Sequence, residues 1–158
     1  MTENDTLIAY VSKGGATEEA ANTIAKILRE KYGLKTDLVD LRRNQQPDIH
    51  KYGNIVIGAG VRAGAVYSDA LKFLENDFSG KKTALFLSSM DAGDAKTYDA
   101  AIEKYIKPIL KEHPRMKPVA FEAFGGRVRF FGITFADNRD AGKINAWAEM
   151  LGKKLRNA

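Results

Sequence analysis

Short apolar runs alternate with amphipathic stretches along the whole chain. Residues 7–11 (LIAYV) form an apolar run too short for a helix, and it stops at Ser12-Lys13-Gly14-Gly15-Ala16-Thr17. From Thr17 the period turns helical, with Ala21, Ile24, Ala25, Leu28 and Tyr32 on one face and Gly33 placed as a terminator. This predicts a strand, a tight turn and a helix over 17–32. A second strand is expected at 36–39, followed by the polar stretch RRNQQPDIHKYG. Residues 54–57, apolar and running into Gly58-Ala59-Gly60, read as a central parallel strand.

The alternation then repeats. A helix is expected over 68–76 with Leu71, Phe73 and Leu74, and a strand over 83–87. A longer helix, 95–112, carries Ile102, Tyr105, Ile106, Ile109 and Leu110 as its stripe, and Pro108 should kink or restart it. A strand at 118–124 and a helix at 140–156, burying Ile144, Trp147, Leu151 and Leu155, complete the pattern. Five short strands joined by helices predict an α/β fold, a doubly wound five-stranded parallel sheet of order 2-1-3-4-5 with helices on both faces. One domain covering 1–158 is the expectation.

In such a sheet, ligands sit at the carboxyl ends of the strands where the winding reverses. Glycine, serine and isolated charges concentrate after the first, third, fourth and fifth strands, in SKGGAT, GAGVRAG, SSMDAGD and FGGRVR. Helix–sheet packing does not require this distribution. A shared ligand rim does.

Composition narrows the chemistry. The chain has no cysteine, which excludes disulfides, thiolate clusters and a cysteine nucleophile. His50 and His113 lie in separate polar contexts and make no zinc spacing. No run approaches the ~20 apolar residues of a membrane span, and MTENDT is no signal peptide, so no integral membrane association and a cytoplasmic location are expected. The net charge of +5 comes from bases spread over helices beside acids, which reads as solvated faces. Nucleic-acid binding would need aromatics interleaved with bases, and only residues 128–131 offer a trace of that, so no nucleic-acid partner is expected.

The first turn is the sharpest chemical signal. Backbone N–H groups, two hydroxyls and the positive end of a helix dipole converge there into an anion cradle suited to phosphate. No G-x-x-x-x-G-K-[ST] string occurs, which excludes a P-loop. The third strand ends in Gly58-Ala59-Gly60 rather than a phosphorylatable aspartate. Gly58 to Gly64 is one residue too long for G-x-G-x-x-G and comes after the wrong strand.

Ser12-Lys13-Gly14-Gly15-Ala16-Thr17 resembles the phosphate loop [ST]-x-[TSGH]-G-x-[TS] of flavodoxin-like proteins, in its proper place after strand one. The resemblance implies FMN as cofactor, with Ser12, Lys13, Gly14, Gly15, Ala16 and Thr17 around its phosphate. By the same resemblance, two loops bracket the isoalloxazine ring. The first contains Ala59, Gly60, Val61, Arg62, Ala63 and Gly64; the second contains Ser88, Ser89, Met90, Asp91, Gly93 and Asp94, and Gly126 turns nearby. VIGAGVRAGAVYSDALKFLEN, AFGGRVRF and DNRDAGKINAWAEML are similar to the branch that includes quinone-dependent protoporphyrinogen dehydrogenase.

Two departures qualify that likeness. The segment FFGITFADNRDAGKIN is short where the dehydrogenase has a long insertion, and neither bracket loop offers a tryptophan to sandwich the ring. The expectation is therefore a carrier of electrons between partner proteins, with Arg127 and Arg129 as the residues that could dock an acidic one. The alternative is an FMN oxidoreductase of the protoporphyrinogen dehydrogenase type. Arg62 reads either as a contact to the ring's N1/C2=O edge or as a surface arginine paired with Asp69 or Asp91. Asp91 and Asp94 read as caps or turn residues rather than metal ligands. Arg127 and Arg129, with Phe130 and Phe131, read as a docking patch or as a solvated loop with two packed phenylalanines.

Overall fold

The structure is a computed structural model, and it describes residues 2–156; Met1, Asn157 and Ala158, the ends of the expected 1–158 unit, lie outside the described residues. The main sheet is built from β1 (Thr2–Val11), β2 (Thr36–Asp40), β3 (Tyr52–Arg62), β5 (Lys82–Ser88) and β6 (Ala120–Phe124). A two-residue strand, β4 (Ala65–Val66), folds back antiparallel on the end of β3. The order is β2-β1-β3-β5-β6, all parallel, which is the expected 2-1-3-4-5 winding.

Alternation along β1 divides the core. Leu7, Ala9 and Val11 point to one face, and Ile8 and Tyr10 to the other. The first face is covered by α2 (Ser68–Phe73), α3 (Tyr98–Ala101), α4 (Lys107–Glu112) and the π turn Ile102–Ile106 between the last two, through Phe73, Ala101, Tyr105, Ile106 and Ile109. The second is covered by α1 (Ala16–Tyr32) and α5 (Ala141–Arg156) through Ile24, Leu28, Trp147 and Leu151. Gly58 on β3 lies beside Phe86 on β5, and a Cβ there would collide with that ring. Phe86 in turn meets Phe124 and Trp147 at 5.9 and 6.0 Å between centroids. The glycine is the space that this aromatic cluster fills.

Several boundaries differ from the expectations. β3 runs on through Arg62, so GAGVR is strand rather than loop, and only Ala63 and Gly64 form the turn. α2 ends at Phe73, short of 76, and Leu71 is exposed. The 95–112 helix begins at Tyr98 and passes through a π turn, Ile102–Ile106, in which the Lys107 N–H reaches the Ile102 carbonyl. That turn directly precedes Pro108, which has no N–H to continue the α ladder, so the expected restart is present. Segment 127–137 is a hairpin, β7 (Arg127–Phe130) with β8 (Ile133–Asp137), not a loop. Its phenylalanines are not packed away: Phe131 is fully exposed and Phe130 is partly exposed. Among the described residues no helix is long and apolar enough to cross a membrane.

Candidate functional site

The site grows from the carboxyl end of β1. Gly15 takes a left-handed conformation (φ 86°) that only glycine adopts cheaply, and it opens α1. Its N–H donates to Ser12 Oγ at 3.2 Å, which folds the loop back on itself. A Cβ on Gly14 would lie 2.6 Å from the Arg127 carbonyl oxygen, so the loop and β7 touch through backbone. Thr17 is buried, and its hydroxyl sits 3.3 Å from the position of a Cβ on Gly60. Glycine at 60 thus lets the first and third strand ends close around that hydroxyl.

Cations surround this loop. Arg127 Nε donates to the Gly14 carbonyl at 3.0 Å while its terminal nitrogens lie over Gly15. Arg42 donates to the Ser12 carbonyl at 2.9 Å. Lys13 Nζ stands 4.9 Å from the Tyr67 ring centroid, and Arg62 lies over Phe130 at 5.2 Å. None of these four makes an ion pair among the described residues. Arg62 therefore does not pair with Asp69 or Asp91. Burial raises the Tyr67 hydroxyl above its ordinary range, and the Arg62 guanidinium opposes that shift.

The third wall comes from β5 and the short turn after it. Ser88 Oγ is buried without a hydrogen-bond partner among the described residues, whereas Ser89 Oγ accepts the Ala92 N–H at 3.2 Å. Asn138 ties this wall to the Gly126 turn. Its Nδ2 donates to the Met90 carbonyl at 2.8 Å, and its Oδ1 accepts the Gly126 N–H at 2.9 Å. Asp94 Oδ1 accepts the Lys96 N–H at 2.9 Å, a turn bond, whereas Asp91 Oδ2 accepts from the Tyr105 hydroxyl at 3.3 Å and makes no such local bond among the described residues.

Two adjoining clefts result, of about 60 and 90 Å³. Of the expected residues, Ser12, Lys13, Gly14, Ala16, Thr17, Gly60, Val61, Arg62, Ser88, Ser89, Met90 and Gly126 line them. Gly15 lies under Arg127, Ala59 is in the core, and Ala63, Gly64, Asp91, Gly93 and Asp94 stand off the lining. Tyr67, Arg127, Val128, Arg129 and Phe130 also line them and are not among the expected cofactor contacts; the period-2 pattern Arg-Val-Arg-Phe is the available sign of a strand. Nothing in the sequence marks Asn138. A larger cleft of about 370 Å³ lies among residues 74–79 and 112–116, at the opposite edge of the sheet from these loops. Size does not locate the site; the convergence of N–H groups, hydroxyls and unpaired cations does.

A doubly wound sheet with an anion cradle at its winding reversal defines a mononucleotide-binding class. The chain belongs to the flavodoxin domain family, whose model matches residues 7–153. Flavodoxin 2 from Bacillus cereus superposes with a TM-score of 0.65 at 23% identity, over 95% of this chain and 99% of that one. The flavodoxin of Fusobacterium nucleatum, solved bound to flavin mononucleotide, gives 0.58 at 14% identity over 95% and 98%. Protoporphyrinogen IX dehydrogenase [quinone] of Escherichia coli K12 is 34% identical over 85 residues, 54% of this chain. The match spans 43% of that protein's length.

FMN is the cofactor that family membership implies, and the residues fit it. The glycine-shaped cradle and the unpaired cations suit its phosphate, and the orphaned Ser88 hydroxyl waits for a polar partner beside the cleft.

Proposed function

We propose that the chain is an FMN-carrying redox protein that passes electrons between partner proteins. The observation that carries this is the Ser12–Thr17 cradle with Arg127 over it, charged for a phosphate and shaped by glycine backbone. When bound, FMN supplies the electron-transfer chemistry. The chain's own residues bind and orient it. N–H groups of the loop, the Thr17 and Ser12 hydroxyls and Arg127 hold the phosphate end. Val61, Tyr67, Ser89 and Met90, which line the same cleft, would hold the head. Arg62 places a positive charge beside the cleft, which favours a more negative, reduced cofactor. The segment between β6 and α5 is the short β7–β8 hairpin rather than a long insertion, and this supports a carrier.

A second reading rests on the 34% identity to protoporphyrinogen IX dehydrogenase: direct oxidation of a porphyrinogen with a quinone as acceptor. Reduced holoprotein should donate to a small redox protein under anaerobic conditions and should not turn over protoporphyrinogen with quinone. Efficient turnover of the second pair would establish the dehydrogenase reading, and a colourless protein that takes up no added FMN would remove both.

A further inference from the structure

The β7–β8 hairpin carries a surface that holding FMN does not require. Phe131, Ile133 and Phe135 are 103%, 59% and 67% exposed, in a segment of five residues. The register places Val128 opposite Ala136 and Phe130 opposite Ile133, so these four share one face, while Arg129 and Thr134 share the other. The register shift between Val128 and Arg129 leaves Phe135 as the extra residue on β8, and its ring meets that of Phe130 at 5.9 Å between centroids. Phe131 forms the tip with Gly132, and both have positive φ, 51° and 77°. A bulky side chain is seldom found there, since asparagine or glycine makes the same turn without strain. The tip thus keeps a fully exposed phenylalanine at a position where its backbone is strained.

Cations border it. Arg62 lies over Phe130, and Arg129 donates to Thr134 Oγ1 at 3.4 Å with no ion pair among the described residues. The hairpin's own acid, Asp137, is occupied by Arg139, which also reaches Glu19. A hairpin tip carrying exposed rings would need a matching hollow in a protein partner, whereas a lipid interface deforms around it. Phenylalanine at the acyl boundary with arginine at the phosphates is the arrangement of an interfacial anchor.

We propose that this hairpin seats the molecule on an anionic lipid surface, with Phe131, Ile133 and Phe135 inserted and Arg62 and Arg129 at the headgroup phosphates.

The full chain is tested by sedimentation with vesicles of phosphatidylcholine, alone or mixed with phosphatidylglycerol. The protein should pellet with the anionic vesicles, much less with the neutral ones, and more weakly as salt rises. Phe131→Ser with Phe135→Ser should lower binding by about tenfold or more, and Arg129→Glu should lower it in the same direction with the hydrophobic tip intact. Phe131→Trp gives an exposed reporter beside the buried Trp147, and its emission should move to the blue with anionic vesicles only. Equal binding to both vesicle types, undiminished binding by the serine variant, or an unmoved emission of the Phe131→Trp variant would each overturn the proposal. So would Phe131-dependent binding to polyglutamate, or self-association through Phe131, without vesicle binding. None of these readouts depends on FMN, so the assignment of the cofactor stands or falls separately.

Discussion

At the scale of single residues, Arg127 is the side chain whose role the structure changes most. Its Nε bond to Gly14 holds it over the phosphate loop without a carboxylate partner among the described residues. A charge-assisted bond to the phosphate is worth about 1.5–3 kcal/mol, roughly ten- to a hundredfold in affinity. Arg127→Ala should therefore weaken FMN by that factor and leave riboflavin, which lacks the phosphate, nearly unchanged. Fluorescence-quenching titrations with both flavins check it, and equal losses would assign Arg127 to holding the hairpin alone. Gly58 tests the core in the same way. Its Cβ would strike the Phe86 ring, which Phe124 and Trp147 hold from behind. Gly58→Ala should cost about 1–3 kcal/mol by overpacking, seen as a lower urea midpoint with an unchanged slope.

Among the elements, the β7–β8 hairpin is held to the rest of the molecule by few bonds. Asn138 joins Met90 and Gly126, and Arg139 links Asp137 to Glu19 on α1. Hydrogen bonds from the Arg139 guanidinium and backbone N–H hold the Asp137 carboxyl well below the usual carboxylate range. A carboxyl lowered on folding stabilises the folded state above its unfolded value near pH ~4 and loses that contribution as the pH falls through the folded value. Hairpin amides should thus exchange with an unchanged opening equilibrium from neutral pH to about 4 and open more readily in stronger acid. Asp137→Asn should show the more open equilibrium throughout.

Much of the architecture is legible in the sequence, and the exceptions have physical causes. LIAYV and the face of Ala21, Ile24, Ala25 and Leu28 carry clear periods, so β1 and α1 are readable. The GAGVR segment is not, because its glycines are dictated by the Phe86 and Tyr67 rings lying against the strand, a contact between distant residues. The hairpin escapes notice because its turn, Phe131-Gly132, lacks the usual Asn-Gly signal. With it go Arg127 as a neighbour of the phosphate loop and Asn138 as the tie behind it.

For the molecule as a whole, the loops converging on the clefts come from elements far apart in sequence: α1, β3, β5 and β7. A ligand that bridges them binds the folded chain and has no counterpart site in the unfolded one. FMN at a hundred times its dissociation constant should then add about 2.7 kcal/mol to folding. For a chain of this size each kcal/mol moves the thermal midpoint by about 2–4 °C, so the rise should be of the order of 5–10 °C and should grow with the logarithm of FMN concentration. Calorimetry of the full chain with FMN, with riboflavin and with inorganic phosphate separates the contributions of the two ends of the cofactor. In the proposed seating FMN should exceed either fragment, because only the intact mononucleotide would span the Ser12–Thr17 loop and the Val61 and Met90 walls together. A midpoint indifferent to FMN would mean that these loops do not act as one site, and the convergence at the carboxyl edge would need another occupant.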